Sequence, residues 1–165
     1  MKAEDRYDSL FRYYAEEQGV PWLLLKAQVK AESGFNPDAV SKAGATGLAQ
    51  FMSRTFEEWR DGTAGIDSGA QHAEPLRNPM LVDPRDPEDA IGAQAAYMRW
   101  LLDRFDGDTE AALAAYNWGI GRVKRVMAES GSGWVNHLPK ETHVYVGRVL
   151  QYLADYGNPE RGLSR

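Results

Sequence analysis

One glutamate stands where a proton could be delivered. Glu32 closes an apolar helical run that contains Leu24, Leu25 and Val29, and Ser33-Gly34-Phe35-Asn36-Pro37 follows it at once. Glycine and an Asn-Pro pair stop a helix, so Glu32 is expected in the last turn. There the negative end of the helix dipole disfavours a carboxylate and raises its pKa. Partial burial would raise it further by desolvation. A carboxyl that stays protonated near neutral pH is what general-acid catalysis requires. A solvated last-turn glutamate would occupy the same position, and position alone favours that plainer reading. The neighbouring residues decide between the two.

Other chemistries find less support. The chain has no cysteine, which excludes a disulfide scaffold, a cysteine-based zinc site and a thiol nucleophile. His72, His137 and His143 lack the spacing of a helical zinc site, so no metal is expected. No glycine-rich phosphate loop follows a strand, so no nucleotide cofactor is expected either. Five tryptophans and eight tyrosines suit carbohydrate binding, although core packing accounts for most of them as well.

Four blocks then follow in order. The first runs Glu32-Ser33-Gly34-Phe35-Asn36-Pro37, Ala39-Val40-Ser41 and Gly44-Ala45-Thr46-Gly47-Leu48-Ala49-Gln50-Phe51-Met52 with Thr55. The others are Asp86-Pro87-Glu88, Ala114-Ala115-Tyr116-Asn117-Trp118-Gly119, and Leu138-Pro139-Lys140-Glu141-Thr142 with Tyr145-Val146. Spread over residues 21–150, this ordered set resembles the catalytic domain of the soluble lytic transglycosylases, relatives of the goose-type lysozymes. The resemblance implies a mainly α, lysozyme-like domain that cleaves the β-1,4 bond between N-acetylmuramic acid and N-acetylglucosamine in peptidoglycan. It implies that Glu32 is the sole catalytic carboxylate, first an acid to the glycosidic oxygen, then a base to the muramoyl C6 hydroxyl. That hydroxyl attacks C1, and the product is a 1,6-anhydro ring. The substrate's own N-acetyl group would stabilise the cation, the substrate-assisted exception to the two-carboxylate rule.

The same resemblance assigns substrate-binding roles to Ser41, Gln50, Met52, Tyr116, Asn117, Glu141 and Tyr145. Each also has a structural reading. Ser41 suits a turn, Met52 suits a core, and Tyr116 and Tyr145 continue apolar helical stripes. Glu141 is favoured in a helix first turn. Ala49 stands where the family has methionine, and Ser53 where it has proline. Two other readings compete with the transglycosylase. A muramidase would hydrolyse the same bond if the acidic stretch near Glu74 and Asp83 placed a second carboxylate, about 6.5–9.5 Å from the first in inverting enzymes. A non-catalytic wall-binding module would keep the cleft and lose the chemistry.

The elements that must position these residues are helical throughout. Tyr7, Leu10, Phe11 and Tyr14 mark a first helix ending at Gly19, and Pro21 opens the one that carries Glu32. A third starts near Ser53. Residues 60–87 break the pattern with Gly62, Gly65, Gly69, Pro75, Pro79, Pro84 and Pro87, and read as an extended loop insertion. Helical spacing resumes at Ile91, Ala95, Met98 and Leu102. Asp108 caps a helix that stops at Gly119, Val123, Val126 and Met127 mark another, and Pro139 opens the last. The expectation is one domain over 1–165, with its core at about 7–156 and a flexible tail at 157–165.

With 165 residues and 43% hydrophobic composition, the chain can bury an ordinary core. Its net charge of −5 argues against nucleic acid as a partner. No run reaches the length of about 18 apolar residues that a membrane span needs, and the polar start MKAEDRYDSL is no secretory signal. A monomer acting on glycan strands in the periplasm or cell wall is expected. Delivery by a phage, as a virion component, or by a secretion machine would account for the missing leader, as would a sequence that is one domain cut from a larger enzyme.

Overall fold

Helices appear in the expected order. In the computed structural model, which describes residues 2–60 and 83–158, α1 spans Asp8–Gln18, α2 Trp22–Ser33, α3 Ser53–Arg60 and α4 Pro87–Arg104. The chain continues with α5 at Thr109–Trp118, α6 at Ile120–Ser130 and α7 at Lys140–Gly157. Among the described residues no strand forms; the isolated bridges Val40–Thr46 and Thr46–Phe51 are the only β pairing. The mainly α expectation holds. Contacts gather the chain into two compact units, Met1–Tyr97 and Met98–Arg165.

In the first unit α1 packs on α2. Phe11 and Ala15 on α1 and Leu24, Leu25 and Val29 on α2 are all buried. Leu48, Phe51, Phe56 and Trp59 extend this core, with the Trp59 and Tyr97 rings 5.0 Å apart. A short 3-10 turn, Ala3–Asp5, is fastened to α2 by charge. Lys26, only 4% exposed, reaches Asp5 at 2.9 Å and Asp8 at 2.7 Å, and Lys30 reaches Glu4 at 3.2 Å. Burial disfavours the Lys26 charge, but the Asp8 and Asp5 carboxylates outweigh it, so the ammonium holds its proton above the ordinary lysine range. The Lys26 hydrogen bond in turn holds the Asp5 carboxyl below the ordinary carboxylate range. Arg12 lies over the Trp22 ring at 3.9 Å, a further α1–α2 tie.

In the second unit α5 packs against both α6 and α7. Ala111, Ala112, Leu113, Ala114 and Ala115 are all fully buried. Small side chains at four of those five positions let neighbouring helices approach closely. Asp108 caps α5 as its sequence implied, its carboxylate accepting from the Ala111 amide at 3.1 Å.

Three boundaries differ from the sequence expectation. α4 starts at Pro87, inside the stretch assigned to the insertion, because the Asp86 carboxylate accepts from the Glu88 and Asp89 amides at 2.9 and 3.1 Å. Proline costs little at the first helical position. A 3-10 helix at Gly131–His137, anchored by buried Trp134, lies where the sequence reading assigns no element. At the other end α7 runs through Gly157, into the assigned tail. Residues 61–82, with Glu74 and His72, and residues 159–165 lie outside the described residues.

Candidate active site

Glu32 lies in the last turn of α2, half-buried. The turn ends as Gly34 takes a left-handed conformation (φ 60°) with its amide donating to the Lys30 carbonyl at 3.1 Å. Phe35 is left-handed too (φ 65°), an uncommon conformation for a bulky residue. The next residue after the acid does the fastening. Ser33 Oγ donates to the Leu48 carbonyl at 2.8 Å, and its contact with the Val29 carbonyl is 3.3 Å. The end of α2 is thereby tied to the loop that carries Gln50.

That loop is closed by its own side chains. Gln50, left-handed at φ 51°, donates through Nε2 to the Gly47 carbonyl at 2.9 Å and the Ala39 carbonyl at 3.2 Å. Its Oε1 remains an acceptor. Gly47 is where α4's approach meets the loop: a Cβ there would lie 1.8 Å from the Pro84 carbonyl oxygen, and its φ is +83°. Only glycine fits. Ser41 is exposed, and its Oγ accepts from the Ala45 amide at 3.0 Å, the geometry of a turn residue. Met52 is 47% exposed and therefore not core. Asp83 is exposed and accepts from the Arg85 amide at 2.8 Å, which gives it a turn role.

The second unit holds the other candidates. Tyr116 and Asn117 form the last turns of α5, with Tyr116 half-buried and Asn117 exposed. Asn117 Oδ1 accepts from the Thr142 hydroxyl at 2.9 Å, which joins α5 to the first turn of α7. Glu141 is exposed in that first turn, and Tyr145 is buried one turn further on. The sequence candidates thus fall into two sets. Glu32, Ser41, Gln50 and Met52 belong to the first unit, and Tyr116, Asn117, Glu141 and Tyr145 to the second.

Two residues within the sequence blocks acquire a role only from the structure. Ser33 ties the acid's turn to the loop, and Thr142, 2% exposed, positions Asn117. A hydroxyl at either place looks like any other in sequence, because its acceptor lies 15 or 25 residues away. Among the described residues no group of three or more His, Cys, Asp or Glu side chains gathers to hold a metal.

Comparison with known proteins gives the chain a family. The pattern of the transglycosylase SLT domain matches residues 9–137, most of the chain. The chain belongs to the transglycosylase SLT family. The SLT match includes Glu32, Ser41, Gln50, Met52, Tyr116 and Asn117, whereas Glu141 and Tyr145 lie beyond it. A soluble lytic murein transglycosylase of Escherichia coli is 31% identical over 156 residues, which cover 91% of this chain and 23% of that protein. Peptidoglycan transglycosylase gp16 of Escherichia phage T7 is 35% identical over 146 residues, 87% of this chain and 10% of that one. The solved structure of an inactive mutant of the lytic transglycosylase Slt from Pseudomonas aeruginosa superposes with a TM-score of 0.75 at 29% identity, covering 93% of this chain and 24% of that one. This SLT chain therefore spans a quarter or less of the length of these relatives.

Proposed function

We propose that this chain is the catalytic domain of a peptidoglycan lytic transglycosylase. It cleaves the β-1,4 bond between N-acetylmuramic acid and N-acetylglucosamine without water. The observation that carries the reading is Glu32: a half-buried carboxyl at a helix C-terminus, on the first of the family's ordered blocks, with its turn tied to the Gln50 loop through Ser33.

The reaction needs a single carboxyl. Glu32 gives its proton to the glycosidic oxygen as the bond to C1 breaks. The substrate's N-acetyl carbonyl shares the developing positive charge. Glu32, now ionised, takes the proton of the C6 hydroxyl as that oxygen bonds to C1. The proton given is replaced by the proton taken, so the enzyme is regenerated and no water enters. The helix C-terminus favours the neutral form needed first.

The remaining candidates recognise the sugar. Gln50 offers its free Oε1 as an acceptor, because its two N–H groups are held by loop carbonyls. Asn117 offers its NH2, because its Oδ1 faces Thr142. Ser41, Met52, Tyr116, Glu141 and Tyr145 complete the sugar contacts. We read the protein as a monomer without cofactor that acts in the periplasm or wall. Its T7 relative supports delivery by a phage particle.

The test is the mass of products from purified sacculi, wild type beside Glu32→Gln. Anhydromuramoyl ends from the wild type, and at least a thousand-fold loss in the variant, are expected. Reducing ends would mean a positioned water and a muramidase. Binding to sacculi with no soluble release would mean a wall-binding module.

A further inference from the structure

The core of the first unit contains two amides that the proposed reaction does not use. Gln28 on α2 and Gln94 on α4 are both 0% exposed. Gln94 Nε2 donates to the Leu25 carbonyl at 3.1 Å and to Gln28 Oε1 at 3.1 Å. Gln94 Oε1 is buried with no hydrogen-bond partner. Burying an unmet acceptor costs free energy that an apolar side chain of the same size would not cost.

Chemistry fixes how this pair is oriented. The Leu25 carbonyl can only accept, so Gln94 must turn its NH2 towards it. The second N–H of that group then meets Gln28, which must present Oε1 to receive it. Gln28 Nε2 is thereby held on the side away from Gln94. Gln28 precedes Glu32 by four residues on α2, so the two share a face. Helical side chains lean towards the N-terminus, which lays the Glu32 side chain over the turn of Gln28.

We infer that Gln94 and Gln28 are positioning residues for Glu32: Gln94 fixes the Gln28 amide, and Gln28 holds the Glu32 carboxyl in one rotamer through its Nε2. The inference rests on Glu32 being the acid. A chain of fixed amides that starts at a backbone carbonyl gives the carboxyl an orientation set by the fold, at the expense of one unmet acceptor.

Gln28→Met, Gln94→Met and the double variant separate this from a packing role. Each single change orphans an amide and is expected to lower Tm. The double change orphans none and is expected to regain wild-type Tm. Its kcat on sacculi is nevertheless expected to stay about ten-fold low with KM unchanged, because the carboxyl is no longer oriented. A double variant with wild-type kcat overturns the inference. Side-chain amide NMR of the folded wild type provides a second readout that needs no core variant to fold. The Gln28 NH2 signals are expected to move in Glu32→Gln, and signals that do not move overturn the inference too. Glu32→Gln assayed in parallel distinguishes the failures: if that variant stays active, the function reading itself falls.

Discussion

At the residue scale the arrangement depends on a few short bonds beside the acid. Ser33 Oγ joins the last turn of α2 to the Leu48 carbonyl. Ser33→Ala leaves that carbonyl without its side-chain donor, at a cost of about 1 kcal/mol. For a chain of this size that lowers Tm by about 2–4 °C, readable by thermal melting. The activity loss should exceed what the melting shift explains, because an untied turn lets Glu32 wander, and a wild-type kcat would show that the tie does not position the acid. Gly47 is less forgiving. Gly47→Ala sets a methyl against the Pro84 carbonyl and forces a positive φ on alanine, so a loss of more than about 2 kcal/mol is expected, seen in denaturant titration. Glu32, Gln50 and Asn117 stand out as candidates in sequence because each sits in one of the ordered blocks that carry the resemblance. That half of each of the Gln50 and Asn117 amides is engaged within the protein is not legible there, since Ala39, Gly47 and Thr142 reach them only through the fold.

At the element scale the helices were legible where the local signal was complete. Asp108 and Gly119 bracket α5 because one accepts a backbone amide and the other tolerates φ 101°. Sequence pattern places the start of α4 four residues late, since its first apolar residues come after the Asp86 cap and Pro87, and prolines read as loop. The 3-10 helix Gly131–His137 was missed because only Trp134 among its residues is buried, and one anchor makes no periodicity. The clamp on α2 was invisible too: nothing in sequence says that Lys26 would be buried between Asp5 and Asp8. It leads to a prediction with a definite sign. The Asp5 carboxyl titrates below its ordinary range, so its contribution is present above the unfolded pKa of about 4 and is lost as pH falls through the folded value. The Lys26 proton is held above the ordinary range, so its contribution is present below about 10.4 and is lost as pH rises through the folded value. Lys26→Met should cost about 2 kcal/mol near neutral pH, where the Asp5 carboxylate is left facing a thioether, and much less once pH has fallen below the folded Asp5 value. Urea titrations of both proteins at the two pH values would measure it. A loss at neither pH would mean the lysine acts through its apolar stem, which methionine keeps.

At the scale of the whole molecule the net charge of −5 meets the proposed substrate. Peptidoglycan stem peptides carry carboxylates, so protein and wall repel at long range. That repulsion is screened by salt: the Debye length falls from about 30 Å at 0.01 M to about 8 Å at 0.15 M. Approach should therefore become easier as salt rises over that range, and KM on sacculi should fall. Proton transfer at a half-buried carboxyl acts over hydrogen-bond distances of about 3 Å, well inside either screening length. Its kcat should change little. The opposite behaviour is expected of a protein held to an anionic polymer by basic side chains, whose affinity drops steeply with salt. Initial rates on sacculi at several salt concentrations, fitted for kcat and KM separately, distinguish the two. A KM that falls with salt while kcat stays level means that recognition is local, made by neutral groups such as the Gln50 acceptor and the Asn117 donor. A KM that climbs with salt would assign recognition to exposed cations, with Arg122, Lys124 and Arg125 along α6 the first to replace.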